Sequence, residues 1–379
     1  MGRGRRRRRG RVAVVRGAVG GEVRREAVVI GAGVSGLCSA VRLAEDGWDV
    51  LVVAADPPTA STSDGCGGYW FPYKSFPAEK TEVWARKTRE AFERMASESF
   101  VRMLRSRHYV CGGGSTDGVD PSAGDGARPG WAPADWREMG AEEGYEVPES
   151  YPAISGGVEF SGPVVEMPMF LSWLTSELAR LGGKVVTGRR LSRMEEAAEH
   201  FRIGGPGAGR RVVVNCAGMG NRMGLARDRR LVAARGQVLY VDAPGLADVV
   251  NVTARHADGS ESFCYAIPRG DLVVLGGTYE LGEEQALHTV PEVERGIWKT
   301  CADLLPPGSL DGAKVLGSWA GLRPVREAGV RLQVEDVPAD LQSRGVAGVV
   351  SNYGHGGSGV TLCWGCADDV LRLANSLVA

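Results

Sequence analysis

The sequence predicts an α/β fold in two parts: a discontinuous dinucleotide-binding domain, and an α+β domain built on a largely antiparallel sheet. Three observations carry this. Residues 27–56 read as strand, glycine turn, helix and second strand. A second glycine-rich turn, at 353–359, opens the last helix about 320 residues later. Between Gly236 and Val334 lie short strand-like runs separated by turns, as in an antiparallel sheet.

Val28, Val29 and Ile30 form an apolar run suited to a strand buried on both faces. Gly31, Gly33 and Gly36 complete G-x-G-x-x-G, with Ala32, Val34 and Ser35 among them. The first glycine permits the tight turn, the second lets the backbone approach a pyrophosphate, and the third lets the helix pack on the strand. Leu37, Ala40, Val41 and Ala44 follow at helical spacing, Gly47 stops the helix, and 49–53 return as a strand, a Rossmann-like start. The acid that binds an adenosine ribose belongs about 20 residues past the glycines. Ala54 and Ala55 hold those positions and Asp56 comes slightly late, so Asp56 either reaches the ribose or caps the turn with Pro57 and Pro58.

Residues 59–73 are rich in hydroxyls and glycines and then turn aromatic, which suits a phosphate or the edge of a flat ring. Residues 81–104 read as one or two helices, 111–130 as a loop or insert, and the chain through Pro152 as irregular surface or a mobile flap. An amphipathic helix (169–180) and strands at 184–187 and 212–215 return to the first sheet. Strands at 236–241, 263–267, 272–277, 314–319 and 330–334 form the second domain. A buried strand at 348–351 and a helix from Val360 to Val378 end the chain. The first domain thus takes 27–80, 155–232 and 346–379, and the second takes 81–154 and 233–345.

Over 379 residues, 43% are hydrophobic and 24% charged, as in an ordinary globular protein. No run is long and apolar enough to span a bilayer, so no membrane partner is expected. Residues 1–26 hold ten Arg and two Glu, a net +8, which leaves −9 for the remainder of a chain with net charge −1. An acidic body gives no reason to expect nucleic acid. The basic leader, 1–26, reads as a disordered tail, an organelle presequence or an over-extended start, and it lacks the apolar segment of a secretory signal. The eight cysteines are scattered and expected to be reduced thiols. Cys363 and Cys366 form C-x-x-C inside the last helix, not at the strand-to-helix turn of a redox unit. No Cys or His pair has zinc spacing, so no metal is expected. Neither Ser35 nor Ser358 lies in the G-x-S-x-G of a serine hydrolase.

Two helix N-termini suit a flavin, one facing the pyrophosphate and the other the isoalloxazine. Gly31-Ala-Gly-Val-Ser-Gly36, Thr62-Ser-Asp, Gly68-Tyr-Trp-Phe-Pro-Tyr73, Val214-Asn-Cys-Ala-Gly218, Arg235-Gly-Gln237, Tyr265-Ala-Ile-Pro268, Gly276-Gly-Thr278, Gly321-Leu-Arg-Pro-Val-Arg326 and Asn352-Tyr-Gly-His-Gly-Gly-Ser-Gly359 occur in this order. Together they resemble the D-amino acid oxidase family, which also contains D-aspartate oxidase, over about 27–379 apart from parts of 105–150. The resemblance implies FAD and oxidative deamination of a D-amino acid. Hydride passes from the α-carbon to flavin N5, and a 2-oxo acid, ammonia and hydrogen peroxide result with oxygen as acceptor. It implies that Arg323 clamps the substrate carboxylate, for which a bidentate, always-charged guanidinium is suited. It further implies that the Tyr265 hydroxyl bonds the same carboxylate and that the Gly357 carbonyl accepts from the amino group. Gly356, Ser358, Gly359, Val360 and Thr361 then line the flavin with backbone N–H groups, Ser61, Thr62, Gly67, Gly68 and Tyr69 line its other edge, and Leu191 gives a backbone contact near the adenine. Arg326 and His355 are read as structural. The family's lid tyrosine is unmatched, since Glu261 and Ser262 fall there. No general base is obligatory, so orientation carries catalysis.

The resemblance also implies a homodimer and a peroxisomal or cytoplasmic location, although Ser376–Ala379 is not the peroxisomal S-K-L. Neutral D-amino acids are the default substrates. An acidic one needs an extra basic group, for which Arg255, His256 and Arg269 are at hand. D-Aspartate oxidase, a glycine- or sarcosine-type amine oxidase, and a flavin-binding protein without turnover are the alternatives. Tyr265 and Arg323 favour the D-amino acid oxidase reading.

Overall fold

The computed structural model describes residues 24–112, 128–201, 209–282 and 287–379. Most of the basic leader and most of the expected loop over 111–130 lie outside the described residues. In order the chain forms β1 (Arg24–Ile30), α1 (Val34–Glu45), β2 (Asp49–Val53), α2 (Ala78–Arg94), β3 (Val101–Cys111), β4 (Arg137–Gly140), β5 (Ile154–Val165), α3 (Met167–Arg180), β6 (Lys184–Val186), β7 (Gly209–Asn215) and α4 (Gly220–Met223). It continues through β8 (Leu231–Asp242), β9 (Val249–Arg255), β10 (Glu261–Arg269), β11 (Leu272–Gly276), β12 (Glu280–Leu281), α5 (Pro291–Leu304), β13 (Lys314–Arg326), β14 (Arg331–Glu335), α6 (Ala339–Ser343), β15 (Val346–Tyr353) and α7 (Gly359–Val378).

Among these residues there are two sheets. The first has the order β14-β15-β7-β1-β2-β6, parallel throughout except for the antiparallel β14. Its strands are apolar runs because helices cover it. Leu37 and Val41 of α1, Phe170 and Leu174 of α3, and Trp364 of α7 are fully buried in one core beneath it, each contributing roughly 1.5–3 kcal/mol. The second sheet runs β12-β8-β11-β10-β9-β3-β5-β4, with β13 on the far edge of β8. All its pairings are antiparallel except β3 with β9. Its own core sets Val252, Cys264 and Leu275 against Ile297 and Cys301 of α5. The α/β class and the largely antiparallel second sheet agree with the sequence reading.

Four expectations change. The first strand begins at Arg24, inside the expected 1–26 leader, because 24–26 pair with 209–211 of β7. The helical reading of 81–104 ends at Arg94, and β3 begins at Val101. The charges that hide the β3 alternation, Arg105 and Arg107, point outward to Asp248 and Glu159. Helix α2, assigned to the second domain, packs on α7: the Gly365 amide donates to Thr88 Oγ1 at 3.0 Å, and a Cβ at Gly365 would overlap the Trp84 backbone. Conversely, β5 pairs with β3 in the second sheet, while β14 joins the first. A turn at 326–329, with Gly329 at φ +77°, sends the chain back to lie beside β15.

Candidate active site

A cavity of about 450 Å³ opens where β1, β2, β7 and β15 end, at the carboxyl edge of the parallel sheet, the usual ligand position in such sheets. Each glycine of the first turn has a distinct reason to be there. Gly31 has φ +105°, and a Cβ on it would sit 2.5 Å from the Cys216 carbonyl. A Cβ on Gly36 would overlap the Gly31 carbonyl, so this glycine closes helix against strand. Gly33 faces the cavity, with only Ser63 Oγ within contact range of a Cβ at 3.3 Å.

The two glycine turns meet. A Cβ on Gly359, the first residue of α7, would lie 3.7 Å from Val34, the first residue of α1. Neither helix has an acidic residue in its first turn. Two positive helix ends therefore lie side by side on one cavity, an arrangement that favours an anion. The second sheet is tied to the same place. The Gly356 amide donates to the Pro324 carbonyl at 2.9 Å, Val325 and His355 form a β-bridge, and Thr62 Oγ1 donates to the Leu322 carbonyl at 3.2 Å.

Of the residues expected at the cofactor, Gly31, Ala32, Gly33, Val34, Ser35, Asp56, Ser61, Thr62, Leu191, Gly356, Gly359 and Val360 line this cavity. Leu191 arrives because the Arg189 amide donates to the Ala54 carbonyl at 2.9 Å, knitting 188–191 to the end of β2. Asp56 stands at that end within 3.5 Å of Arg190.

Six expected residues do not line the cavity. Gly36 is used in packing. Gly67 and Gly68 are pressed against Ile267 and the Val165 carbonyl. Tyr69 bridges to Val164 and sends its hydroxyl to His108 Nε2 at 2.8 Å. Ser358 Oγ accepts from the Tyr73 amide and donates to the Tyr73 carbonyl, both at 3.0 Å. Thr361 Oγ1 does the same for Phe71, at 3.1 and 3.0 Å. These two hydroxyls mimic a strand pairing and fix 71–73 against α7. The sequence reading missed Ser63, which accepts from the Val34 amide at 3.1 Å, and Trp319, a cavity wall. Gly65 and Gly321 are the signal for Trp319, since a Cβ on either would overlap its ring.

Arg323 lines the cavity from β13, beside Gly236, where a Cβ would overlap the guanidinium. Its Nη1 donates to the carbonyls of Thr278 at 2.9 Å and Arg235 at 3.4 Å. No carboxylate forms an ion pair with it among the described residues. Tyr265 stands next to it on β10, its hydroxyl over Gly276 and Gly277, which have no Cβ to obstruct it. Burial raises the Tyr265 pKa against the opposing pull of Arg323, so the phenol stays protonated. A Cβ on Gly357 would lie 3.7 Å from the Arg323 stem and 3.6 Å from the Tyr73 ring. Arg323, Tyr265 and Gly357 therefore converge. Phe263, Tyr73 and Tyr279 extend this corner as an aromatic wall, with neighbouring rings 5.6–6.5 Å apart.

Arg326 is held by Asp228 at 2.7 Å and by the Gly329 carbonyl, a structural position. His355 Nε2 donates to Asn352 Oδ1, 3.0 Å away, which leaves Nδ1 to accept from Ser35 Oγ, 3.4 Å away; burial lowers its pKa to about 4, so the ring is neutral. Cys363 and Cys366 are buried, and burial raises the Cys366 thiol pKa. No metal-binding group of His, Cys, Asp or Glu occurs among the described residues, and no helix there is long and apolar enough to cross a membrane.

The chain is similar to several named proteins. It is 37% identical to the D-amino-acid oxidase of Rubrobacter xylanophilus over 362 residues, 95% of this chain and 98% of the relative. It is 32% identical to human D-aspartate oxidase over 356 residues, 92% and 94% of the two chains. The glycine oxidase of Bacillus cereus has the same fold at 18% identity, with TM-score 0.68 over 93% of this chain and 95% of that one. The family model described as FAD dependent oxidoreductase matches residues 26–373, and the chain belongs to that family.

Proposed function

We propose that this chain is a D-amino acid oxidase, and that the convergence of Arg323, Tyr265 and Gly357 at the edge of the cavity carries the reading. FAD fits the residues present. Two adjacent helix N-termini without acidic side chains suit the pyrophosphate and the electron-rich edge of a reduced flavin. Gly33 leaves open the space that a Cβ would fill. The amides of 32–35 and 356–360 would hold the group, and Asp56 would take ribose hydroxyls, with Arg190 giving way. Bound FAD supplies the two-electron acceptor for the α-carbon–hydrogen bond.

The protein's own part is orientation. Arg323 stays charged and forks onto the α-carboxylate. Tyr265 donates its phenol hydrogen to the same group. The Gly357 carbonyl accepts from the amino group and so fixes the α-hydrogen toward the cavity. Tyr73, Phe263 and Tyr279 exclude water from the corner. None of these groups has to take up a proton, so the neutral, buried His355 is consistent with the scheme.

The test is anaerobic reduction of the bound flavin by D-alanine, D-valine, D-aspartate, L-alanine, glycine and sarcosine, followed by aerobic assay for peroxide. Reduction by D- but not L-alanine, with peroxide formed on admitting oxygen, is the expected result. Reduction confined to glycine or sarcosine removes the D-amino acid reading, and no reduction by any amine removes the enzyme.

A further inference from the structure

Lys74 follows directly on the segment fixed by Ser358 and Thr361, and it has φ +48°. A left-handed backbone is uncommon for a lysine. Such residues persist where their surroundings hold them, and they cluster at ligand sites. Here Tyr73 is pinned through its amide and carbonyl by Ser358, and the buried Ser75 donates its hydroxyl to the Tyr73 carbonyl at 3.3 Å.

The side chain turns across two rings of the aromatic wall. Its Nζ lies 5.2 Å from the Tyr73 ring centre and 5.0 Å from that of Tyr279. Tyr279 is also the ring beside the Arg323 guanidinium, at 5.9 Å. The ammonium and the guanidinium thus stand within about 11 Å of each other, both against the Tyr279 ring. Lys74 makes no salt bridge among the described residues. Glu261 acts on it electrostatically but is paired with Arg255 at 3.4 Å. Burial pulls the Lys74 pKa down, but Tyr73 and Tyr279 outweigh it and the net shift is upward, so the cation persists.

The basic groups that the sequence offered for an acidic substrate are otherwise engaged. Arg255 is on Glu261, and His256 Nε2 is 2.8 Å from Ser262 Oγ. Arg269 is buried against Glu166 at 3.6 Å and bonds the Asp64 and Cys66 carbonyls. Lys74 has no such ion pair; its side-chain hydrogen bond is to Tyr73.

We propose that Lys74 is a specificity-determining residue that takes the side-chain carboxylate of a four- or five-carbon dicarboxylic D-amino acid whose α-carboxylate is held by Arg323. This rests on the oxidase reading above. Two carboxylates roughly 4–5 Å apart, each meeting a cation at about 2.8 Å, bridge a cation separation of roughly 9–12 Å. Neutral side chains fill the aromatic corner without using the ammonium, and a cationic side chain is repelled by it.

The experiment is steady-state turnover of the FAD-saturated enzyme with D-glutamate, D-aspartate and D-alanine, in the wild type and in Lys74→Met and Lys74→Arg. The readout is the ratio of kcat/KM for the acidic substrate to that for D-alanine. The ratio is expected to fall roughly tenfold in Lys74→Met and to be largely kept in Lys74→Arg, the loss lying in KM for the acid. A ratio within twofold of wild type in Lys74→Met, or an equal fall for all three substrates, overturns the assignment. A wild type that oxidises D-alanine but neither acid overturns it while leaving the oxidase reading intact, and one that oxidises none overturns both.

Discussion

Arg323 is a half-buried cation whose protein partners are main-chain carbonyls and the neutral Tyr265 phenol, with no carboxylate among the described residues, which leaves its charge for a ligand. Losing a charged fork that makes two hydrogen bonds costs more than losing a neutral one. Arg323→Ala is expected to lower kcat/KM for D-alanine roughly hundredfold or more, mainly through KM, with the flavin absorbance spectrum retained. Tyr265→Phe should cost roughly tenfold, because only one neutral donor is removed. A KM unchanged in Arg323→Ala would take the residue out of the site. His355 gives a different observable. Its native pKa, about 4, lies below the ordinary 6.5 because the ring is buried, and burial likewise lowers that of His108 to about 3. Between these values and 6.5 the unfolded chain binds more protons than the native one. Stability therefore falls as pH drops below 6.5 and is indifferent to these groups above it. Denaturant melts between pH 7.5 and 4.5 should show this slope, and His355→Gln should flatten it; an equal slope in the variant would remove His355 as a source.

The G-x-G-x-x-G element separates two kinds of glycine that the motif alone does not distinguish. A Cβ on Gly36 meets the main-chain carbonyl of Gly31, in the turn after β1, which cannot retreat without moving the helix, whereas a Cβ on Gly33 meets only Ser63 Oγ and the cavity. Gly36→Ala should thus lower the stability of the flavin-free protein by roughly 1–3 kcal/mol, the usual cost of overpacking. Gly33→Ala should leave that stability nearly unchanged and weaken FAD binding. Denaturant melts of the stripped protein and flavin titration distinguish the two, and equal destabilisation by both would contradict the geometry. The glycine turns, the first two strands, α3 and α7 were legible in the sequence because periodicity and glycine spacing are local signals, whereas Arg323 and Tyr265 were reached only through the family resemblance. Strand β3 was not, since Arg102, Arg105 and Arg107 break its apolar pattern and only their partners across the sheet explain them. Ser358 and Thr361 were read as flavin contacts through their backbone N–H groups, at the end of the glycine loop and the start of α7; the partners of their hydroxyls, Tyr73 and Phe71, were not legible because they are about 290 residues away in sequence. Lys74 was invisible for the same reason, as its significance depends on Tyr279 and Arg323.

At the scale of the whole molecule, the cavity is shared by the two sheets, which also meet in a buried core where Val158 and Phe160 of β5 join Leu332 of β14 and Leu362 of α7. The first contributes Gly33, Ser35, Gly356 and Val360, and the second contributes Gly236, Trp319, Leu322 and Arg323. Three polar ties between the layers stand at its rim: Thr62 to Leu322, Tyr240 Oη to the Gly65 carbonyl at 2.9 Å, and Gly356 to Pro324. A ligand in this cavity should stabilise both layers together. At a free FAD concentration a hundredfold above Kd the gain is about 2.7 kcal/mol, and the thermal midpoint should keep rising as FAD is added. Hydrogen exchange tests where that stabilisation goes. Amides of α1 and α7 should gain protection on FAD binding, and so should those of β13 and β8, which reach the cavity only from the second sheet. Protection confined to α1, α7 and the parallel strands would mean that the cofactor is held by one layer alone, and that the Arg323 corner is placed independently of it.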